Sequence, residues 1–395
     1  MSMYPADDYG LLADDDELEA LAYLVAQSFG VEFDVSRQFL APHLDDVRAV
    51  RRDGRVVAGL LTLPMGQFFG GRRVSMTGIA GVGVAPSERG RGAATSLMQA
   101  TLRELHGRGV GLSTLYPASY ALYRRCGYEL AGGHYRIELS TRAIGVSERG
   151  LPMRPIERAD LRPIERLYTR QAALRTGWLD RSDYLWQLVR DPPRGHPVYG
   201  HLVEEDGQLA GYLFYRQEPI MGQVGYHMYI TCLAAASGAA AQRLLGFLAD
   251  HRSQARTITW YGGVDDPLLP LLPERCYDLA LQDHWMLRIV DVVQALSERG
   301  YPRHLQVRLD LDLYDDVLEA NHGRFRVDIE DGAATVRRGG RGGLALDVGA
   351  LAALYSGHAS AAQLAQSGRI QATPAALGRA AAAFSGPPPS LPDFF

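Results

Sequence analysis

Residues Gly78–Thr95 read GIAGVGVAPSERGRGAAT. The apolar run Ile79–Val84 stops at Ala85-Pro86, the turn Arg89-Gly90-Arg91-Gly92-Ala93-Ala94 follows, and Ser96–Leu105 carries apolar residues at helical spacing. That order is strand, glycine-rich turn, helix N-terminus. Bare N–H groups in the turn and the positive end of the helix dipole make a seat for an anion. Two arginines add full charge, so the fitting guest has several oxygens, as a pyrophosphate does.

The spacing R-x-x-G-x-A is neither the G-K-[ST] ending of a P-loop nor G-x-G-x-x-G. It resembles the acetyl-CoA loop of the GNAT acetyltransferases, and the V-x-V-A-P before it and the amphipathic helix after it strengthen the likeness. The alternative is a tight strand-to-helix turn with no ligand.

A chain of 395 residues with 47% hydrophobic and 22% charged residues fits two or three soluble globular domains with ample core. The net charge is −4, and no long basic stripe suggests a nucleic-acid partner. All 41 cationic residues are arginine, which biased genomic base composition explains. Cys126, Cys232 and Cys276 are odd in number, far apart and form no C-x-x-C, against both a disulfide framework and a zinc site. The eleven histidines show no H-E-x-x-H spacing, so no metal is expected. The start, MSMYPADDYG, lacks the basic-then-apolar pattern of a signal peptide. Ile230–Ala249, the least charged long stretch, is mostly alanine and reads as strand, turn and helix rather than a membrane span. These features predict a cytoplasmic protein with no membrane partner.

The spacing of Leu18, Leu21, Ala22, Leu24, Val25 and Phe29 predicts a helix over Asp15–Phe29, with a short second one over Arg37–Leu44. Val47–Arg52 and Arg55–Thr62 flank Asp53-Gly54, a hairpin signal. A further turn at Gly70-Gly71 delivers the strand Ser75–Val84. After the loop and its helix come a strand at Gly111–Leu115, a short helix at Ser119–Cys126 and a strand at Tyr135–Leu139. This is the element order of a GNAT fold. Residues 140–152 read as a linker. A topological echo follows: helical segments over Arg154–Leu174 and Tyr184–Val189, a hairpin at Asp206-Gly207, then the strand Tyr226–Leu233 and a helix to His251. It lacks the arginines and the R-x-x-G-x-A spacing, so it is expected to be GNAT-like without a cofactor loop; an unrelated α+β unit is the alternative. From Asp291 the pattern changes again. Val307–Leu313 and Phe325–Ile329 alternate apolar and polar residues, Asp331-Gly332 is a turn, and Leu344–Val348 is a strand. Helices are expected at Gly349–Tyr355, Ser360–Gln366 and Thr373–Phe384. The chain closes on Gly386-Pro387-Pro388-Pro389, a stiff strut, and Ser-Leu-Pro-Asp-Phe-Phe, whose aromatics need a dock.

Together these features resemble the Eis (enhanced intracellular survival) family of aminoglycoside N-acetyltransferases, over the whole chain. The resemblance rests on Val82-Gly83-Val84-Ala85-Pro86, Arg89-Gly90-Arg91-Gly92, Tyr120–Tyr128 and the tail Asp393-Phe394-Phe395. It implies a mixed α/β, tripartite architecture: a GNAT domain over 1–145, a GNAT-like domain over 146–290 and a sterol-carrier-protein-like domain over 291–395. It implies acetyl-CoA as donor, polyamine antibiotics as acceptors and a homohexamer. It also implies a tyrosine as general acid and the chain's own terminal carboxylate as general base. Acetyl-CoA is assigned to Val82, Gly83, Val84, Arg89, Gly90, Arg91, Gly92, Ala93, Ala94 and Thr95, with Ala118 and Ser119 at the entry to the short helix.

Acetyl transfer from a thioester to an amine makes four demands. The pyrophosphate must be held, and the developing oxyanion needs a backbone donor, which a splayed strand near Val82–Val84 supplies. The leaving thiolate, pKa about 8.5 by analogy with cysteine, gains from a proton donor, and the ammonium must lose a proton before it attacks. Tyr120, Tyr123 and Tyr128 compete for the donor role; the resemblance selects Tyr123, because the family's acid precedes an F/Y-G-Y element as in Y-x-x-x-G-Y here, with plain packing as its rival. The α-carboxylate of Phe395, ordinarily of pKa about 3.5, is a weak base that a partly buried pocket strengthens; a frayed terminus is its rival. Cys126 is not needed for direct transfer. For the acceptor, Phe29 and Asp393 are assigned, with Glu32 and Asp34 as nearby acids. Two other functions stay open: acetylation of a protein lysine or N-terminus, and a non-catalytic CoA-binding assembly protein.

Overall fold

Three Asp-Gly pairs fold three hairpins. Asp53, Asp206 and Asp331 have φ of 50°, 52° and 51°, and the glycine after each has φ of 71°, 71° and 78°. Two consecutive left-handed residues make the tight turn whose twist matches that of the strands it joins. The turns link Val47–Arg52 to Arg55–Phe69, Val198–Glu205 to Gln208–Pro219, and Gly323–Glu330 to Ala333–Arg338. The computed structural model describes residues 7–192 and 196–395; the first six residues of the acidic start lie outside them.

Helix Asp15–Phe29 spans the stretch its apolar spacing predicts, with the Asp14 side chain accepting from the Glu17 N–H and Gly30 closing it at φ 64°. The second helix differs from expectation. It covers Phe33–Leu40, and Ala41–Asp46 tightens into 3₁₀ turns around Pro42, which has no N–H to continue the ladder. The strand expected over Tyr135–Leu139 spans Glu129–Ser140. In the second unit the helix over Leu161–Ala172 starts only after a strand at Met153–Pro155 and a 3₁₀ turn closed by the Glu157/Asp160 capping box.

One 13-stranded sheet runs through the first two units. Its centre is an exchange. Tyr277–Ile289, late in the second unit, pairs with Leu112–Leu115 of the first, in the register Met286↔Leu115. Glu129–Ser140, of the first unit, pairs with Ala255–Gly262 of the second, in the register Trp260↔Ile137. The two exchanged strands also pair with each other. Each half-sheet is thus completed by a strand from the other half of the chain.

The C-terminal unit holds a five-stranded sheet and the helix Val348–Ser356, all nine residues of which are buried. Two buried arginines tie it to the large sheet. Arg288, on the exchanged strand, meets Asp315 at 2.7 Å with both side chains fully buried, and Asn321 donates to the same carboxylate at 3.1 Å. Arg299 lies 4.9–5.9 Å from the ring centres of Phe69, Tyr301, Tyr355 and Phe384 and donates to the Tyr355 carbonyl at 2.7 Å. Removing one partner of a fully buried ion pair costs about 3–5 kcal/mol, so losing Arg288 or Asp315 alone would loosen this junction. Among the described residues no helix is long and apolar enough to cross a membrane.

Candidate active site

The strand Arg72–Val84 pairs in parallel with Leu112–Leu115 only at Met76↔Leu112, Thr77↔Ser113 and Gly78↔Thr114. Past Gly78 the two strands part. On its other edge the register slips between Leu61↔Ala80 and Gly59↔Gly83, where Gly81 has φ 58°. This bulge turns Val82 and Val84 to the same face as Ile79 and Tyr123. Residues 79–84 therefore present a free backbone edge along the widening cleft.

At the mouth of the cleft, Gly92 precedes the helix Ala93–Gly107 with φ 82°, and Gly90 has φ 75°. A Cβ built on either would meet no atom within 4 Å, so the loop stands open at both glycines. Arg89 and Arg91 are exposed beside it, and Ala93, Ala94 and Thr95 form the first turn. Arg52 braces the loop from below, donating to Glu88 Oε2 at 2.8 Å and to the Arg91 carbonyl at 3.3 Å. Ala118 and Ser119 are exposed at the start of the short helix Tyr120–Arg124, and the Ser119 side chain makes no cap bond. Free amides, a helix dipole and two exposed arginines fit a pyrophosphate, so the residues suit acetyl-CoA.

Tyr123 lies on that short helix, 4% exposed, with its ring 6.0 Å from that of Tyr128. Burial pushes its phenol up to about 12. It stays protonated at neutral pH and can give a proton only to a group whose own affinity is raised by the same dry surroundings, as a cleft-bound thiolate's is. Cys126 is fully buried and its thiol is pushed up to about 11, which leaves no thiolate for a covalent step.

On the opposite face of the strand Arg72–Val84 lies a cavity of about 900 Å³. Phe29 stands at its rim, 53% exposed, and Phe39, Tyr184, Phe394 and Phe395 form much of its wall. Its acids are Asp183 and Asp191, from the helix Asp183–Arg190 and just after it. Glu32 and Asp34, flagged by sequence proximity, are not among its walls. His43 is there too; burial holds it below its ordinary 6.5, and its Nε2 has no hydrogen-bond partner among the described residues.

The tail docks along the exchanged strands. Ser390 bridges to Gly133, the Leu391 N–H donates to the Gly133 carbonyl at 3.0 Å, and His134 Nδ1 meets the Leu391 carbonyl at 2.7 Å. Tyr116, at the end of Leu112–Leu115, donates its hydroxyl to the Asp393 carbonyl at 2.6 Å. Phe395 then rests on Gly78, at the fork of the cleft, while Phe394 is 60% exposed. Phe394 and Phe395 both line the cavity of about 900 Å³. Asp393 goes elsewhere: its carboxylate pairs with Arg181 at 2.8 Å, with side chains 8% and 3% exposed. Tyr116, His134, Arg181, Asp183 and Asp191 escape a reading of the sequence, because no local pattern marks them: Tyr116, His134 and Arg181 meet the tail across the fold, and Asp183 and Asp191 come to the cavity wall only in the folded chain. Among the described residues no cluster of three or more His, Cys, Asp or Glu side chains is placed to hold a metal.

Residues 12–131 and 177–289 each match an acetyltransferase (GNAT) domain, and residues 292–392 match a sterol carrier protein domain. The chain is similar to the GCN5-related N-acetyltransferase from Anabaena variabilis, with 37% identity, a TM-score of 0.94 and 99% of this chain aligned to 100% of that one. An uncharacterized N-acetyltransferase of Streptomyces avermitilis is 30% identical over 80% of each chain. The N-acetyltransferase Eis of Mycobacterium tuberculosis is 28% identical over 90% of this chain and 91% of its own.

Proposed function

The chain belongs to the Eis-type GNAT N-acetyltransferases, and from that premise we propose that its acceptors are aminoglycoside-type polyamines, acetylated at more than one amine. Acetyl-CoA is the donor. In this reading the Phe395 carboxylate takes the proton from the incoming ammonium, directly or through water, and Tyr123 gives one to the departing sulfur. The Val82–Val84 edge donates to the developing oxyanion. The single observation behind it is the tail: its last residue lies at the fork of the donor cleft and walls the acceptor cavity.

The cavity supports the polyamine class. About 900 Å³ is near the upper end for a small-molecule site, roughly 300–1,000 Å³. It has room for a multi-ring amine in more than one orientation, which is what acetylation at several positions needs. Asp183, Asp191 and, in this reading, the terminal carboxylate of Phe395 make it attractive to a polycation.

Incubation of the pure protein with acetyl-CoA and an aminoglycoside, followed by mass spectrometry, tests the proposal. Addition of two or more acetyl groups per molecule is expected. Acetylated peptides with unchanged aminoglycosides would point to a protein substrate instead. No acetyl transfer to either would leave a CoA-binding assembly protein.

A further inference from the structure

The second unit repeats the fork of the first. Tyr226–Ala235 and Ala255–Gly262 pair in parallel up to Tyr229↔Thr259 and go no further. The helix after the fork, Gly238–Asp250, is capped by the Ser237 side chain, and the glycine-arginine loop is missing. A cavity of about 690 Å³ opens here between Ile230–Leu233 and Thr259–Tyr261. Pro392, Asp393 and Phe394 of the tail form part of its wall.

Arg181 sits at the base of this fork. Its guanidinium lies 4.0 Å from the ring centre of Tyr168 and 4.9 Å from that of Trp186. It donates through Nη1 to Cys232 Sγ at 3.1 Å and through Nε to Asp393 Oδ1 at 2.8 Å. The other Asp393 oxygen accepts from the Tyr168 hydroxyl at 3.3 Å. Asp393 is therefore gripped from both halves of the sheet: its side chain by Arg181 of the second unit, its carbonyl by Tyr116 of the first.

We propose that the second unit's fork is a socket for the tail, and that Arg181 is a positioning residue whose pair with Asp393 sets the Phe395 carboxylate in the acceptor cavity. Only two residues separate Asp393 from the carboxylate, a span of at most about 7 Å. With Asp393 fixed, the carboxylate has little freedom; with it loose, the terminus frays. The catalytic part of this inference rests on the terminal carboxylate acting as base; the anchoring part does not.

The test uses the full-length protein and three variants: Asp393→Asn, Arg181→Leu and Arg181→Lys. Asp393→Asn keeps the shape of the tail and an oxygen for Arg181, and its melting curve, read beside the release rate, separates a loosened tail from a destabilised fold if Arg181→Leu fails to fold. Carboxypeptidase A release of Phe395 reads the anchor, and kcat with an aminoglycoside reads its consequence. In Asp393→Asn, release is expected to quicken roughly tenfold or more and kcat to fall roughly 10- to 100-fold, with KM for acetyl-CoA unchanged. Arg181→Lys, which keeps the charge but not the fork, is expected to fall between wild type and Arg181→Leu on both readings. Unchanged release together with unchanged kcat in Asp393→Asn overturns the proposal. Faster release with unchanged kcat upholds the anchor and removes the carboxylate as base.

Discussion

Phe395 fills the volume that a side chain on Gly78 would need. A Cβ built on Gly78 would stand 2.5 Å from Phe395 Cε2 and 2.6 Å from Met65 Cε. The glycine is thus what lets an aromatic terminus lie flat at the fork of the donor cleft. Gly78→Val is expected to expel Phe395 and lower kcat by roughly 10- to 100-fold, since misplacement of about 1 Å costs up to 100-fold. Valine must also displace Met65 Cε, so the melting temperature is expected to fall modestly, by the equivalent of roughly 1–3 kcal/mol of overpacking. Normal turnover in this variant, measured beside its melting curve, would show that Phe395 can leave without loss.

Tyr123→Phe removes one oxygen from a buried ring that otherwise packs against Tyr128. General acid catalysis contributes about 10²- to 10⁴-fold, so kcat is expected to fall by at least roughly 100-fold, with calorimetric affinity for acetyl-CoA preserved. Because burial pushes this phenol up to about 12, it cannot be the source of a rate loss at pH 8–9. A wild-type rate in Tyr123→Phe would exclude it as the acid.

Gly92→Ala tests the cradle. At φ 82° a Cβ meets no neighbour but strains the backbone, by roughly 1–2 kcal/mol. Relief of that strain turns the loop amides away from the pyrophosphate. KM for acetyl-CoA is expected to rise roughly 5- to 30-fold while saturated turnover stays close to normal. An unchanged KM would mean that the loop is only a turn.

What the sequence made legible was local chemistry. Asp53-Gly54, Asp206-Gly207 and Asp331-Gly332 each set a hairpin on their own, and the Arg89–Ala94 loop fixed a strand-to-helix turn. The strand exchange was not legible. In Tyr277–Ile289, positions 277–284 hold no buried residue and positions 285–289 are wholly buried, so no period-2 pattern marks the strand. Its partners Leu112–Leu115 lie more than 160 residues earlier, and such pairing leaves no trace in nearby residues. The site divides the same way. Tyr123 and Phe395 stand out through a motif and a chain end, whereas Arg181 and Tyr116 matter only because the folded tail reaches them. Asp393 shows the cost: an acid beside the terminus reads as a ligand for amines until its buried arginine is seen.

Acid should loosen the tail before it unfolds the carboxylate network. His134, 3% exposed, meets the Leu391 carbonyl and stacks on Tyr261 at 4.1 Å; burial is the main cause holding it below its ordinary 6.5. His43, His201, His251 and His358 are lowered too, each chiefly by burial. Above pH 6.5 these histidines are neutral in both folded and unfolded chains, and their packing is fully available. As pH falls below 6.5 the unfolded chain binds protons first, so stability declines with pH toward the lower folded values, by at most about 1.4 kcal/mol per pH unit for each histidine. Lowered carboxylates such as Glu104 and Glu129 add their loss only below their ordinary 4.5. Thermal melts are therefore expected to be level from pH 7 to 8 and to drop between pH 6.5 and 5, with a shallower drop in His134→Gln. Over the same range, carboxypeptidase Y, which is active in mild acid, is expected to release Phe395 faster relative to an unstructured peptide of the same end. Melts that hold level down to pH 5 would show that these histidines do not carry the proton linkage.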